Sequence, residues 1–331
     1  MEKKRYEWID IARGIVIISV IIGHADCPSL MHKGIYGFHI PFFFILSGFL
    51  YNSEKWKQKG IKELIKNKWK SYVIPYFVLS FVNLFINIPV EYLGNEKIRG
   101  KELLFSTIKH FFWIFYSPND NGKVPNCIPL WFLLCMFVSY VFVYFMMKYN
   151  SSVRMLICFL AMVTDFAIFK FVPYPLPWHL GTALMGMTFM YAGFLIKEYN
   201  ILDKINIYLI LCLFVLGFYS IYVNDEISMN NNRLQNIVLL LVGSVSVSMA
   251  IMGFCCKYLK KSVLLAKLGK NTILIMGFNC AINSYCRGVF GHLFKINITW
   301  WELTLINIIL FYLLIFIWDM IKRRHPKCAI F

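Results

Sequence analysis

The sequence has few charged residues, and only half as many acidic residues as basic ones. Asp, Glu, Lys and Arg make up 15% of the 331 residues, whereas a soluble domain carries about 25%. Hydrophobic residues account for 59% of the chain, and the mean hydropathy is +0.61. This composition excludes a water-soluble enzyme, a disordered chain, a collagen-like fibre and a small disulfide-stabilised domain. It is typical of a polytopic membrane protein.

Motifs for metal binding and thiol chemistry are missing as well. The ten cysteines form no C-x-x-C pair, and no Cys/His cluster has zinc-finger spacing. Most of them lie in apolar runs, where Cys behaves as a small hydrophobic residue. We therefore expect no metal site. Cys27 and Cys127 fall in two predicted outer loops, and a disulfide between them stays an open alternative.

Long apolar runs are what the sequence has in abundance. A helix needs about 20 residues to cross the hydrocarbon core of a bilayer. Runs near that length lie at about 8–25, 35–51, 72–90, 129–147, 153–171, 177–196, 206–223, 235–256, 268–287 and 302–321. The sequence therefore predicts an all-α polytopic bundle of about ten transmembrane helices. With no internal repeat or soluble catalytic region, residues 1–331 are predicted to form a single transmembrane domain.

Two segments differ from the other runs and loops. The first run contains Asp10 and Arg13 and is followed by no A-x-A site, which argues against a cleaved signal peptide. The longest loop, 91–128, contains an apolar stretch at 103–116 that is too short and too polar to span comfortably. We expect this stretch to be an interfacial segment or half-helix on the extracytoplasmic side.

The distribution of charge predicts the topology. A net charge of +17 would suggest nucleic acid as a partner of a soluble protein. In a membrane protein, Lys and Arg instead concentrate in cytoplasmic segments. With the N-terminus inside, 21 Lys and Arg fall in cytoplasmic segments and eight in outer loops. Both termini are therefore predicted to be cytoplasmic, and no nucleic acid is expected.

Polar residues inside the first run are candidates for chemistry, because such groups are costly in a bilayer. Asp10 and Arg13 are three residues apart and can pair on one helical face. Arg13 and His24 are eleven residues apart, so they share a face and lie about 16.5 Å apart along the helix axis. The plain alternative is an interfacial ion pair and a histidine at the helix end, without chemistry.

The second run adds His39 near the same predicted outer end. From Phe38 it reads F-H-I-P-F-F-F-I-L-S-G-F. Ser47 is not predicted to be a nucleophile, because S-G-F lacks the G-x-S-x-G elbow. Ser47 and Gly48 instead suit a close approach between helices. His39 either completes an outer site or packs against a carbonyl, and both interpretations stay open.

Together these motifs resemble the membrane-bound acyltransferase type 3 family. Arg13 and His24, with ten residues between them, followed by the segment from Phe38, are similar to the family signature. Later segments resemble family motifs in the same order, namely K-W-K-S-Y-V-I-P-Y at 68–76, P-L-W-F-L at 129–133, the helix at 182–197 and L-G-K-N-T at 268–272. The resemblance runs almost end to end. One departure is Asn279, where family members often have a histidine.

The resemblance implies an O-acyltransferase, most often an O-acetyltransferase. Such an enzyme moves an acetyl group from cytoplasmic acetyl-CoA to a hydroxyl of an extracytoplasmic or cell-surface carbohydrate. The implied setting is the bacterial plasma membrane, also called the inner membrane, as a multi-pass protein. Its implied partners are acyl-CoA, a carbohydrate acceptor and the lipid bilayer, and assembly into a homo-oligomer stays open.

Within that resemblance, His24 is expected to act as general base on the acceptor hydroxyl. An acylated His24 intermediate is the less favoured alternative. Asp10 would orient Arg13, and His39 would support the outer part of the site. These three residues, His24, Asp10 and His39, are the catalytic candidates.

The donor and the acceptor each have candidate ligands. The CoA head group is polyanionic, and the basic candidates at the cytoplasmic rim are Arg13, Lys68, Lys70 and Lys270. For any single lysine, a role in setting the membrane topology explains the positive charge at least as well as CoA binding does. Trp131 and Phe132 are the acceptor candidates, because aromatic rings often contact sugars. Their alternative is the ordinary interfacial belt of membrane proteins.

Two rival functions remain at this level. A transporter or flippase of a glycan precursor would use the same intramembrane charges to line a path, without chemistry. The absence of two related halves with paired broken helices counts mildly against it. A second rival is the same scaffold acting on a lipid, peptide or small-molecule acceptor, or with a longer acyl donor.

Overall fold

A computed structural model describes residues 6–94, 99–117, 123–124, 126–172, 176–225, 227–231 and 233–324. The described residues are helical, apart from turns and one isolated β-bridge between Ser228 and Arg233. The helices are α1 Glu7–Gly23, α2 Ser29–Tyr36, α3 His39–Phe49, α4 Ser53–Lys68, α5 Ile74–Gly94, α6 Lys101–Tyr116, α7 Trp131–Met146, α8 Ser151–Phe171, α9 Leu180–Glu198, α10 Ile201–Lys204, α11 Ile207–Val223, α12 Ile237–Lys257, α13 Val263–Lys270, α14 Thr272–Gly288 and α15 Trp300–Arg324. The predicted all-α class is confirmed.

Six helical stretches among the described residues are long and apolar enough to cross a membrane. They are Ser53–Pro89, Ile128–Met146, Ser151–Phe171, Pro177–Glu198, Ile237–Lys257 and Trp300–Arg324. The apolar helix α11 has 17 residues and is shorter than these. A helical membrane protein is therefore supported, whereas the count of ten spans and the cytoplasmic termini stay predictions.

Two of the predicted runs are interrupted in the structure. The run at 35–51 contains the end of α2, a break at Gly37 and Phe38, and the 11-residue α3. At 1.5 Å per residue, α3 is about 16 Å long, which is about half the hydrocarbon thickness. The run at 268–287 is divided at Asn271, where α13 ends and α14 begins.

Helix pairs in the interior approach each other closely at glycines. α3 packs against α9, and α11 packs against α12. A Cβ on Gly48 would lie 1.8 Å from the carbonyl oxygen of Met190, and one on Gly193 would lie 1.8 Å from that of Ile45. Small residues at such contacts let helix backbones meet without losing packing, as in other membrane helix pairs.

Burial separates central helices from peripheral ones. All but one of the α3 residues are buried, and most residues of α7 and α9 are buried too. By contrast, 17% of the most apolar window of α8 is buried, and its exposed residues are mainly Phe, Leu and Met. α8 therefore offers its apolar surface to lipid, while residues of α1, α3, α7 and α14 line the cavities described next.

Candidate active site

Three histidines line a cavity of about 250 Å³, which we call the histidine cavity. His24 is the residue that follows the last turn of α1, His32 lies on α2, and His39 is the first residue of α3. The rest of its wall consists of Val20, Tyr36, Ile40, Ile128, Pro129, Trp131, Ile227, Ser228, Met229, Asn230, Asn231 and Met276. The structure thus brings His24, His39 and Trp131 together at one cavity.

The ring of Tyr36 lies among the three imidazoles. It stacks on His32 with ring centroids 3.8 Å apart, and it meets His39 edge to face at 4.9 Å and His24 at 6.2 Å. Edge-to-face and stacked rings at these distances stabilise one another. Tyr36 therefore fixes the relative positions of the histidine rings that face the cavity.

The hydrogen bond of His39 determines which of its ring nitrogens can accept a proton. Its Nδ1 lies 2.8 Å from the carbonyl oxygen of Ile35. A carbonyl oxygen can only accept, so the proton is on Nδ1 and the lone pair is on Nε2. His39 is itself buried. Its Nε2 is thus the nitrogen left for a supporting or proton-accepting role.

The polar side of the histidine cavity comes from the segment between α11 and α12. Ser228 accepts and donates backbone hydrogen bonds with Arg233 in the isolated bridge, and the carbonyl oxygen of Met229 accepts a hydrogen bond from Thr182. These contacts hold Asn230 and Asn231 against the cavity. Amide and hydroxyl groups in the same cavity as the Trp131 ring suit a polyhydroxylated ligand.

A second cavity, of about 190 Å³, contains the Arg13 side chain, and we call it the arginine cavity. Its other walls are Phe43, Leu46, Ser47, Tyr72, Phe132, Leu133, Met136, Gly269, Lys270, Asn271, Thr272, Ile273, Leu274 and Met276. Two of the four basic donor candidates, Arg13 and Lys270, therefore line one cavity. Its remaining walls are largely apolar.

Asp10 holds the guanidinium of Arg13 in this position. The Arg13 Nη1 lies 3.6 Å from Asp10 Oδ1, and the Asp10 side chain is 3% exposed. The backbone of α1 meets that of α13 at Gly14 of α1 and Gly269 of α13. A Cβ on Gly269 would lie 1.8 Å from the Asp10 carbonyl oxygen, and a Cβ on Gly14 would lie 2.1 Å from the Leu265 carbonyl oxygen. The close contact of α1 with α13 therefore brings Lys270 to the same cavity as Arg13.

Met276 lines both cavities. Arg13 lies on α1 and His24 follows its last residue, with Arg13 in one cavity and His24 in the other. Because Met276 is 2% exposed and contributes to both walls, it lies where the cavities come closest. The spacing of Arg13 and His24 along α1 thus places them in two different cavities that share Met276.

Residues near the end of α14 hold the segment that carries His24. Asn283 Nδ2 donates to the His24 carbonyl oxygen at 2.7 Å, and Asn307 on α15 donates to Asn283 Oδ1. Arg287 donates to the carbonyl oxygen of Ala25 at 3.3 Å and forms an ion pair of 2.7 Å with Asp26. The backbone around His24 is therefore bound directly to α14, and α15 supports it indirectly through Asn283.

Three candidates from the sequence lie elsewhere than expected. Phe132 lines the arginine cavity rather than the histidine cavity, and its ring packs against Phe44 at 5.1 Å. Lys70 is exposed and lines neither cavity. Lys68 points into a group of aromatic rings, with its Nζ 3.7 Å from the centroid of Tyr140.

Sequence reasoning missed His32, Tyr36, Met276 and the segment 227–231. A signal existed for the first two, because His32 and Tyr36 are four residues apart, between His24 and His39. The segment 227–231 gave no comparable signal, because long-range contacts bring it to the cavity. Cys27 and Cys127, left open as a disulfide, are both buried and free.

One of the comparisons with known proteins identifies a family. A family model described as an acyltransferase domain, of acyltransferase type 3, matches residues 6–321. Neither a curated protein nor a solved structure matches the chain. The match covers nearly the whole chain, including the motifs that form the two cavities and the apolar helices of the membrane bundle. The chain therefore belongs to the membrane-bound acyltransferase type 3 family.

Proposed function

We propose that the protein is an O-acetyltransferase that moves an acetyl group from cytoplasmic acetyl-CoA to a hydroxyl of an extracytoplasmic or cell-surface carbohydrate. The observation that carries this proposal is the pair of cavities that share Met276, one with Arg13 and the other with His24. Such a pair allows a donor and an acceptor to enter separately and meet at one side chain. The setting we propose is the bacterial inner membrane.

The arginine cavity suits the donor. Arg13 offers a planar guanidinium, held by Asp10, that can bind an anionic or carbonyl oxygen with two N–H groups. Lys270 adds a second positive charge at the exposed side of the cavity. The apolar wall formed by Phe43, Leu46 and Met136 suits the uncharged arm that carries the acyl group.

The histidine cavity suits the acceptor. A sugar ring presents hydroxyl groups at its rim and C–H groups on its faces. Trp131 and Tyr36 offer flat apolar surfaces, and Ser228, Asn230 and Asn231 offer donors and acceptors. This combination supports a carbohydrate over a purely apolar acceptor such as an acyl chain.

In the reaction we propose, His24 accepts the proton of the acceptor hydroxyl while the hydroxyl oxygen attacks the thioester carbonyl carbon. The tetrahedral intermediate then collapses, the C–S bond breaks and the thiolate of CoA takes the proton back from His24. The products are the acetyl ester of the acceptor and free CoA. His39 would support the imidazolium through the shared Tyr36 contacts.

The test is acetyl-CoA binding and turnover by purified protein in detergent, with wild type and His24→Ala compared. We expect the wild type to bind acetyl-CoA and release CoA slowly without an acceptor, because water can replace the acceptor hydroxyl. His24→Ala should bind the donor with unchanged affinity and release CoA at least about 100-fold more slowly.

A control histidine separates chemistry from folding. His110 on α6 lines neither cavity and contacts Ser106 and the Lys123 carbonyl oxygen. His110→Ala should retain turnover. If folded wild-type protein bound no acyl-CoA, the transporter interpretation would be the better one, and normal turnover by folded His24→Ala would remove His24 from the mechanism.

A further inference from the structure

A third cavity lies beside the arginine cavity, and we call it the lysine cavity. Its volume is about 300 Å³. Among the described residues, seven line it and three of these are lysines; they are Leu50, Asn52, Lys55, Trp56, Asn67, Lys68 and Lys197. None of these described lining residues is acidic. The cavity is therefore a polar recess with a high local density of positive charge.

The three lysines converge from three different helix ends. Lys55 is in the first turn of α4, Lys68 is in its last turn, and Lys197 is in the last turn of α9. Like charges that face one cavity repel each other, and a bound anion turns this repulsion into attraction. Each ammonium also offers three N–H donors, the groups that recognise phosphate oxygens.

Aromatic rings fix two of these ammonium groups in place. The Nζ of Lys55 lies 4.4 Å from the centroid of the Trp56 ring, and the Nζ of Lys68 lies 3.7 Å from that of Tyr140. Such cation–π contacts reduce the conformational freedom of long side chains. Trp56 itself is buried. The charges of Lys55 and Lys68 are thus held at the cavity by packed rings, whereas Lys197 is exposed.

The lysine cavity is adjacent to the donor side of the site. The Nζ of Lys68 also lies 5.7 Å from the centroid of the Tyr72 ring, and Tyr72 lines the arginine cavity. The ring of Tyr72 also stacks on that of Tyr140, with the two ring centroids 5.8 Å apart. A ligand with an apolar arm and several phosphates could therefore occupy both cavities at once.

From this juxtaposition we propose that the lysine cavity is a phosphate-binding site built by Lys55, Lys68 and Lys197. Two sources of phosphate fit this chemistry. One is the nucleotide of the acyl donor, whose arm would lie in the arginine cavity, and this source rests on the proposed function. The other is the head group of an anionic lipid at the membrane surface, which does not depend on it.

The first experiment measures the affinity of CoA and of dephospho-CoA, which lacks the 3′-phosphate, for protein in nanodiscs of zwitterionic lipid. The charge-removing variant is Lys55→Gln/Lys197→Gln. Its matched control is Lys57→Gln/Lys59→Gln, on two exposed lysines of the same helix that line none of the three cavities. Each double variant loses two positive charges, so the two proteins have the same net charge and the same charge bias for membrane topology.

For the nucleotide source, we expect the Lys55/Lys197 variant to bind CoA about tenfold or more weakly than wild type, since each charge-assisted hydrogen bond contributes on that order. The control variant should bind CoA normally. An unchanged affinity for dephospho-CoA in the Lys55/Lys197 variant assigns the 3′-phosphate to the cavity. An equal loss for both nucleotides assigns the diphosphate.

A second experiment tests the lipid source. The thermal unfolding midpoint is measured in detergent with short-chain phosphatidic acid and with short-chain phosphatidylcholine. A rise with phosphatidic acid alone, present in wild type and the control but absent in the Lys55/Lys197 variant, assigns the site to a lipid head group. If neither the nucleotide nor the lipid response depends on Lys55 and Lys197, the phosphate site is wrong.

The failure of this inference is distinguishable from the failure of the proposed function. If wild-type protein binds neither CoA nor dephospho-CoA, the acetyl-CoA donor is wrong, and the lipid experiment alone decides the phosphate site. If all forms bind both nucleotides equally and none responds to lipid, the donor survives and the lysine cavity does not. Lys55→Arg/Lys197→Arg, which keeps the charge, should restore whichever response the glutamine variant loses.

Discussion

The side-chain amide of Asn283 donates a hydrogen bond of 2.7 Å to the main-chain carbonyl oxygen of His24. Asn307 in turn donates to Asn283, so that α15, α14 and the end of α1 are joined by buried amides. His24 follows the last helical turn of α1, where carbonyl groups lack partners within the helix. Asn283 supplies such a partner and fixes the backbone from which the imidazole projects.

The first prediction concerns Asn283. In Asn283→Ala the His24 carbonyl loses its partner and the imidazole loses its fixed position, so turnover should fall about 10- to 100-fold, as small displacements of catalytic groups do. Donor affinity should stay normal, because Arg13 lies in the other cavity. The measurement is kcat together with the Kd of acetyl-CoA.

The control for Asn283 is Asn206→Ala. Asn206 caps α11 through a hydrogen bond from the Leu209 N–H and lies outside both cavities. Losing this cap should lower stability by about 1 kcal/mol without lowering kcat. If Asn283→Ala and Asn206→Ala changed activity equally, the role of Asn283 would be structural only.

The helical composition and the family follow from the sequence, but the breaks in the helices do not. Apolar runs indicate helices in a membrane because all backbone groups must be satisfied within the element. The same runs do not show that the chain breaks at Gly37 and Phe38 or at Asn271, because a single Gly or Asn in an apolar run does not by itself end a helix. The contact of α13 with α1 determines the second break, and that contact is not local.

The site shows the same division between local and long-range information. Arg13, His24 and Asp10 lie on one helix, so helical spacing is enough to relate them. The partners on other helices, Met276 and Asn283, come from α14, and only tertiary packing brings them to α1. Phe132 follows Trp131 directly, yet the two side chains face different cavities because adjacent positions on a helix point about 100° apart.

The second prediction concerns the ion pair at the donor side. Arg13→Lys keeps the charge but loses the planar pair of N–H donors, so we expect donor affinity to fall about tenfold. Arg13→Ala should weaken it further. Asp10→Asn should have an effect intermediate between wild type and Arg13→Lys, because the guanidinium remains but loses its orienting carboxylate. Isothermal titration with acetyl-CoA measures all three.

Arg154→Lys is the matched control for these variants. Arg154 lies on α8, donates to the Met147 carbonyl oxygen and lines neither the arginine nor the histidine cavity. We expect it to bind acetyl-CoA as wild type does. An Arg13→Lys protein with unchanged affinity would place the donor elsewhere.

The third prediction concerns Met276, where the two cavities come closest. Met276→Leu conserves volume and should retain activity. Met276→Phe adds bulk at the shared wall, so transfer to an acceptor should fall at least about tenfold while donor binding persists. The informative measurement is the ratio of the acetyl-transfer rate to the association constant for acetyl-CoA in each variant. Equal ratios in the Leu and Phe variants would show that the acyl group does not pass this point.

The fourth prediction concerns the thiols of Cys27 and Cys127. Burial raises the pKa of Cys127 to about 12 from its ordinary 9.0, and burial also raises the pKa of Cys27. At pH 8 both thiols are therefore almost entirely protonated, and only the thiolate reacts with maleimide. Labelling of these two thiols in native protein should be slow and, for Cys127, should still rise tenfold per pH unit between pH 8 and 10.

Single variants assign the labelling to each cysteine. Cys27→Ser and Cys127→Ser should each remove one slow site, whereas detergent-denatured protein should label fast at both. Because both thiols are free, unreduced and reduced protein should migrate equally on a gel. A mobility shift on reduction that disappears in either Ser variant would instead demonstrate the disulfide.

The last prediction concerns the contact that joins α1 to α13. A Cβ on Gly269 would lie 1.8 Å from the Asp10 carbonyl oxygen and 2.9 Å from the Gly14 nitrogen, both of which are backbone atoms. Neither atom can move aside without shifting α1, so Gly269→Ala should lower stability by about 3 kcal/mol or more and should also displace Arg13.

Gly288→Ala is the matched control, because a Cβ at Gly288 meets nothing within 4 Å and alanine favours the helix by about 0.5–1 kcal/mol. Thermal unfolding in detergent should show a clearly lowered midpoint for Gly269→Ala and an equal or higher one for Gly288→Ala. Equal midpoints for Gly269→Ala and wild type would mean that α1 and α13 are farther apart than this structure has them.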